Sequence, residues 1–278
     1  MGGSYYSSGT AMAQVLNSHV DGMDMSVSAS NTQDNIATLL SGESQIAMSG
    51  GADYNAVMEA MPADDDTICS MGVFNQTVSM IVVSGKSDYQ TLADLKGKKI
   101  QMGSSGSGQC LMNMALIAED GMTPDDFSPE YMSQSDGTQA FTEGKVEANL
   151  ITSGVPSSLL TQISASDPDF RILTWDEEFL DKVVADYPYY KVCTVDPANL
   201  GCKSITEPVK MVAFYGELLV RADVDEDLVY NMCKALYENQ EELVNAYAGC
   251  SFMYSHWRLL YRRLLGHSIS LIRGISEI

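Results

Sequence analysis

The residues best suited to chemistry in this chain are small and polar, and they gather where a predicted strand gives way to a predicted helix. Gly103–Gly108 reads Gly-Ser-Ser-Gly-Ser-Gly, and Gly2–Thr10, Ser30–Asn35, Ser49–Asp53 and Thr152-Ser153-Gly154 are junctions of the same kind. At a helix start the first N–H groups lack an intrahelical acceptor and the helix dipole is positive, so such a junction favours an anionic group. Ser104, Ser105 and Ser107 add hydroxyls that can donate or accept. Stronger motifs fail at the Gly103–Gly108 turn. Gln109-Cys110 stands where a nucleotide-binding P-loop needs Lys and Ser/Thr, and the spacing is G-x-x-G-x-G rather than the dinucleotide G-x-G-x-x-G. No register supplies a G-x-S-x-G nucleophile elbow. An anion-cradling turn is the reading that survives, with a plain tight turn as its alternative.

Other reactive residues are sparse. His19, His256 and His267 are too scattered for a metal cage or a Ser-His-acid triad, and the six cysteines form no C-x-x-C pair. Cys193 and Cys202 bracket a turn-rich loop that a disulfide could close; two unrelated thiols fit equally. Asp34 and Asp53 could pair as carboxylates, although acids at helix starts usually serve as caps. Tyr5-Tyr6 and Tyr187-Pro188-Tyr189-Tyr190 could wall a ligand site or pack against a neighbouring helix. The 17 methionines fall mostly at periodic core positions. No metal, cofactor or covalent chemistry is expected.

Charge narrows the partners. The chain has 278 residues, with 16 Lys+Arg against 37 Asp+Glu, for a net charge of -21. Such acidity excludes a nucleic-acid binder, because binding to a phosphate backbone draws on Lys and Arg. With hydrophobic residues at 45% the chain can build a core, yet no apolar run nears the roughly 20 residues that span a bilayer. No export signal stands at Met1, so the chain as written is expected to be soluble. Residues 251–278 depart from the rest, with Arg258, Arg262, Arg263 and Arg273 against Glu277 alone. They read either as a basic amphipathic segment or as a frameshifted end.

The elements that must position these residues alternate. Helical spacing covers Gly9–Val20, and Met23, Met25, Val27 and Ala29 alternate with polar residues as in a strand. A capped helix from Asn31 to Gly42, a strand over Gln45–Ser49 and a helix over Asp53–Met61 follow. After the apolar strand Val78–Ser84 come Lys98–Met102, Gln109–Glu119, Gly137–Glu143, Glu147–Ser153, Pro156–Ala165, Phe170–Thr174 and Asp176–Ala185. Met211–Val220 is a long apolar strand, and Asp225–Tyr247 reads as the longest helix. This predicts an α/β fold with a parallel sheet. Val78–Ser84 and Met211–Val220 read as crossings between two lobes. One lobe is then discontinuous, 1–84 plus 209–250, the other continuous, 85–208, with 251–278 as a tail.

Several of these residues carry a resemblance. Gly2-Gly3-Ser4-Tyr5-Tyr6, Leu92-Ala93-Asp94-Leu95-Lys96-Gly97-Lys98, Thr152-x-Gly154-Val155-Pro156 and Tyr187-Pro188-x-Tyr190 are similar to patterns of the TAXI-family solute receptors of tripartite ATP-independent periplasmic (TRAP) transporters. The similarity runs in order from Gly2 to about Tyr247. It implies a type II periplasmic-binding-protein fold, two α/β lobes joined by a two-strand hinge. A receptor of this kind captures a small organic acid or amino acid, such as glutamate, and is not an enzyme. It acts as a monomer, in the periplasm or anchored at the cell surface, and hands its anionic or zwitterionic solute to TRAP permease subunits for ion-gradient-driven uptake. Carried onto matching positions, its pocket draws on Ser4, Tyr5, Tyr6, Asn31, Ser49 and Asp53 from the first lobe. Ser104, Ser105, Ser107, Thr152, Ser153 and Tyr190 come from the second. The short strand that precedes the glycines in the family, and its export signal, are missing here.

No arginine occurs before Arg171. A ligand carboxylate is therefore expected to rest on main-chain N–H groups of residues 104–108 and on the hydroxyls of Tyr6, Ser107 and Thr152. Two rivals share the scaffold, an enzyme and a ligand-sensing effector domain.

Overall fold

The structure, a computed structural model, describes residues 4–30, 32–50 and 67–250. The expected cap at Asn31, the helix over Asp53–Met61 and the tail 251–278 lie outside these residues. The chain forms two compact units, one running to Gln76 and resuming at Tyr215, the other Thr77–Phe214.

The first unit holds α1 (Ser4–His19), α2 (Thr32–Ser41), β1 (Ile46–Gly50), the start of β2 (Ile68–Val83), the end of β8 (Val209–Arg221), α7 (Glu226–Glu238) and α8 (Gln240–Ala246). β1 runs antiparallel to β8, with Ser49 opposite Glu217. Ala11, Met12, Val15 and Leu16 recur on one face of α1 and pack with Phe74, Leu218, Met232, Leu236 and Leu243. Two expectations change here. The segment from Met23 to Ala29 alternates in burial as a strand would but forms no ladder. Asn17 takes the partner's place: its Nδ2 donates to the Met25 carbonyl (2.9 Å), and its Oδ1 accepts from the Met25 N–H (2.6 Å). The long helix is in fact two. At Asn239 the side chain donates 2.8 Å to the Ala235 carbonyl, and the backbone leaves helical geometry at φ -113 and ψ 37.

The second unit completes β2 and adds β3 (Lys99–Gln101), α3 (Gly108–Glu119), β4 (Ser128–Glu130), α4 (Gln134–Thr142), β5 (Ala148–Ser153), α5 (Ser158–Ser166), β6 (Arg171–Leu173), α6 (Glu177–Asp186), β7 (Lys191–Val195) and the start of β8. Its strand order is β2-β5-β3-β4, with β6 on β2 and β7 on β8. The sheet is mixed, where a parallel one was expected. β3 is parallel to β4 and β5, but β5 and β6 run against β2, and β7 runs against β8. Parallel pairing needs a crossover that returns the chain to the same sheet end. β3, β4 and β5 have such crossovers, whereas β2 enters from the first unit and β8 leaves for it.

Successive β2 side chains point to opposite sheet faces. Val78, Met80 and Val82 pack with Phe141 of α4 and with Leu160 and Ile163 of α5. Ile81 and Val83 pack with Ile100, Met102 and, from α3, Ile117. The helices after β4 and β5 therefore cover one face, and the helix after β3 covers the other.

Candidate functional site

β3 and β5 are neighbours whose following helices leave on opposite faces, which makes the gap beyond their carboxyl ends a topological switch point. Their ladder is short. It pairs Ile100 with Ala148 and Gln101 with Asn149. β5 then continues beside β2 as far as Ser153, while β3 turns away at Gly103.

Side-chain amides occupy the gap. Asn113 Nδ2 donates to the Met102 carbonyl on one side (3.1 Å) and to the Leu150 carbonyl on the other (3.0 Å). Gln109 Nε2 donates to the same Leu150 oxygen (2.6 Å) and to Gln101 Oε1 (3.2 Å). Gln101 Nε2 reaches the Met132 carbonyl (3.1 Å), and Asn149 Nδ2 reaches Thr138 Oγ1 (3.1 Å). Gln101, Asn149 and Thr138 are fully buried, so each bond forms in a low dielectric where an unmade one is costly. None of these amides was expected from the sequence as part of a site. The visible signal was Gln109 and Asn113, four residues apart on the apolar face of a predicted helix.

The glycine-serine turn sits directly on this network. Gly103 has φ +97, and a Cβ there would meet Gln109 Cδ at 2.8 Å, so both backbone and space demand glycine. Ser107 is the N-cap of α3, its Oγ accepting from the Cys110 N–H (3.2 Å), while its own N–H donates to the Ser104 carbonyl (3.0 Å). This corrects one expectation: the Ser107 N–H closes the turn and is not open to a ligand. Its hydroxyl proton can still be donated, since the cap uses only the oxygen. Ser104 and Ser105 are exposed at the apex.

At the end of β5 the Thr152 N–H donates to Gln134 Oε1 (3.1 Å), which ties the strand to the first residue of α4. Ser153 Oγ donates to the Gly154 carbonyl (2.9 Å). Ser157, buried, caps α5. The starts of α3, α4 and α5 thus follow the carboxyl ends of three parallel strands. Tyr190 stands apart from them. It is 1% exposed, inside a core with Leu180, Val183, Val212 and Phe214, and its ring meets Tyr189 edge-on at 4.6 Å.

In the first unit Ser4, Tyr5 and Tyr6 form the opening turn of α1, where helical spacing was expected only from Gly9. Tyr5 packs edge-to-face on Phe74 at 4.9 Å, whereas Tyr6 is 39% exposed. Ser49 is fully buried, and its Oγ has no hydrogen-bond partner among the described residues. Burial pushes the carboxyl of Glu217, its cross-strand neighbour, above the ordinary carboxylate value, with Ser70 pulling the other way. Asn31 and Asp53 lie outside the described residues.

All six cysteines are free thiols, so Cys193 and Cys202 form no disulfide. Each is held separately. Cys202 Sγ donates to the Phe170 carbonyl at 3.5 Å, and burial raises Cys193 to about 11, which keeps it an unreactive thiol. Among the described residues no group of His, Cys, Asp and Glu could hold a metal ion, and no helix is long and apolar enough to cross a membrane.

Two solved structures share the architecture. The periplasmic aliphatic sulphonate binding protein SsuA of Escherichia coli aligns over 94% of this chain and 80% of its own, at 16% identity and a TM-score of 0.53. The alkanesulfonate-binding protein SsuA of Xanthomonas axonopodis pv. citri, bound to MOPS, aligns over 98% and 84%, at 16% identity and a TM-score of 0.52. The fold is therefore the α/β type II periplasmic-binding-protein fold. A family model matches residues 1–253, which include every described residue, and the chain belongs to the NMT1-like family.

Proposed function

We propose that the chain is a solute receptor that holds the anionic group of a small organic acid or amino acid at the carboxyl edge of β3 and β5 and delivers it to a TRAP permease outside the cytoplasm. The observation that supports this reading is that three helix starts follow the carboxyl ends of three parallel strands in the second unit, with Ser104 and Ser105 exposed after the first of them. Helix N-termini and hydroxyls hold an anion without any charged side chain. Thr152, Ser153 and the Ser107 hydroxyl belong to the same edge. Ser4, Tyr6, Ser49, Asn31 and Asp53 are the proposed contribution of the first unit. Of the remaining candidates, Tyr5 packs on Phe74 and Tyr190 is buried in its own core.

A second reading is favoured by the sulfonate specificity named for both solved neighbours. A sulfonate presents three acceptor oxygens to the same donors and would imply a different permease. Titration calorimetry against succinate, L-glutamate, methanesulfonate and taurine separates the two. Micromolar binding confined to the carboxylates supports the first reading, and binding confined to the sulfonates supports the second. Recovery of a chemically altered solute, or no heat with any of the four, overturns the receptor reading at this edge.

A further inference from the structure

We propose that Gln109 and Asn113 are positioning residues, a pair of amides spliced between β3 and β5 that sets the place of the Gly103–Gly108 turn; the inference rests on that turn being the ligand edge. Two parallel strands that separate leave carbonyls without ladder donors, and buried carbonyls must find others. Here the Met102 and Leu150 oxygens, one from each side of the gap, share the single –NH2 of Asn113. The orientation of that amide follows: a flip would aim its oxygen at two carbonyl oxygens. Asn113 Oδ1 is left with no hydrogen-bond partner among the described residues. An unpartnered buried oxygen is destabilising, so the gain from this side chain lies in the two carbonyls its nitrogen spans.

Gln109 does the complementary work. It leaves the first turn of α3, on the Ile81 and Val83 face, passes the gap, and bonds Gln101, whose side chain lies against Gly137 of α4 on the opposite face. One residue therefore ties α3, β3 and β5 together and links them to α4. Its side chain also fills the space in which a Cβ on Gly103 would sit. The turn cannot shift without breaking the bond to Leu150.

The test uses the full chain without ligand. Hydrogen exchange followed by mass spectrometry compares the wild type with Gln109→Met and Asn113→Leu, which keep volume and remove the donors. The expected result is at least tenfold faster exchange over residues 103–108, with α6 and α1 unchanged. Unchanged exchange in the turn overturns the proposal. So does an even acceleration across the second unit, because a merely structural role predicts that pattern. Should either variant fail to fold, Gln101→Met removes the through-sheet partner, and with it the bond to the Met132 carbonyl, but keeps both bonds to Leu150. It should give a smaller increase at the same residues, and its absence counts against the proposal. Calorimetry of the same variants with succinate and methanesulfonate is read separately. A silent wild type there speaks against the receptor reading and leaves the exchange result intact.

Discussion

Ser84 Oγ and the Gly85 N–H both donate to one oxygen of Asp167, at 2.7 and 3.0 Å, and so pin the end of β2 to the residue after α5. Partial burial alone would raise this carboxyl. The hydrogen bonds from Ser84, Gly85 and Asp169 outweigh it, and the pKa lies below the ordinary value. A carboxyl lowered in the folded state stabilises fully above its unfolded pKa, and that stabilisation is lost as pH falls through the folded one. Asp167→Asn should therefore cost about 1 kcal/mol at neutral pH in urea melts. It should also flatten the decline in stability below about pH 4. If the variant keeps the wild-type acid profile, the bonds to Asp167 do not carry this stability. Tyr6 makes the opposite prediction, for binding. Its ring is 39% exposed, so Tyr6→Phe should leave the melting temperature within a degree or so while weakening succinate binding about tenfold, the worth of one hydrogen bond. Residue types at the turn were legible because hydroxyls and glycines announce themselves. The amides behind them were not. Asparagine or glutamine within an apolar helix reads as a surface residue until the gap it fills is seen.

Elements were legible where one period held without interruption. Gln109–Glu119 and Glu147–Ser153 were expected within a residue of α3 and β5. β2 was read as starting at Val78 but begins at Ile68, because Ser70, Gly72, Asn75 and Gln76 interrupt the apolar pattern. Two of these have partners that sequence alone does not reveal: Asn75 Oδ1 accepts the Gly216 N–H at 3.0 Å, and Gln76 Nε2 donates to the Tyr215 hydroxyl at 3.3 Å. Gly216, the single glycine of β8, is consequently closely packed. An added Cβ would strike Asn75 Oδ1 and come within 2.7 Å of Phe74 Cζ. Gly216→Ala should lower stability by about 1–3 kcal/mol through overpacking, read as a lower denaturant midpoint with unchanged slope. An unaltered midpoint would mean that the Phe74 ring moves aside freely.

At the scale of the whole molecule, a net charge of -21 is unevenly opposed, and self-repulsion weakens the compact state. Raising sodium chloride from about 10 to about 200 mM shortens the screening length from roughly 30 to roughly 7 Å and should raise the melting temperature. Sodium sulfate and sodium chloride at matched ionic strength distinguish screening from anion binding, because only occupancy of a site adds a saturating increment. The strand-helix alternation was enough to predict α/β architecture. The mixed sheet was not predicted, since strand direction depends on where the chain comes from, and that is a property of the fold. β2 and β8 each pass from one unit to the other in mid-strand, between Gln76 and Thr77 and between Phe214 and Tyr215. A protease needs several unfolded residues to seat its substrate, and neither passage offers a loose tether. Clipping should therefore fall within the surface loops and leave both passages intact, so nicked fragments remain together until the strands themselves melt.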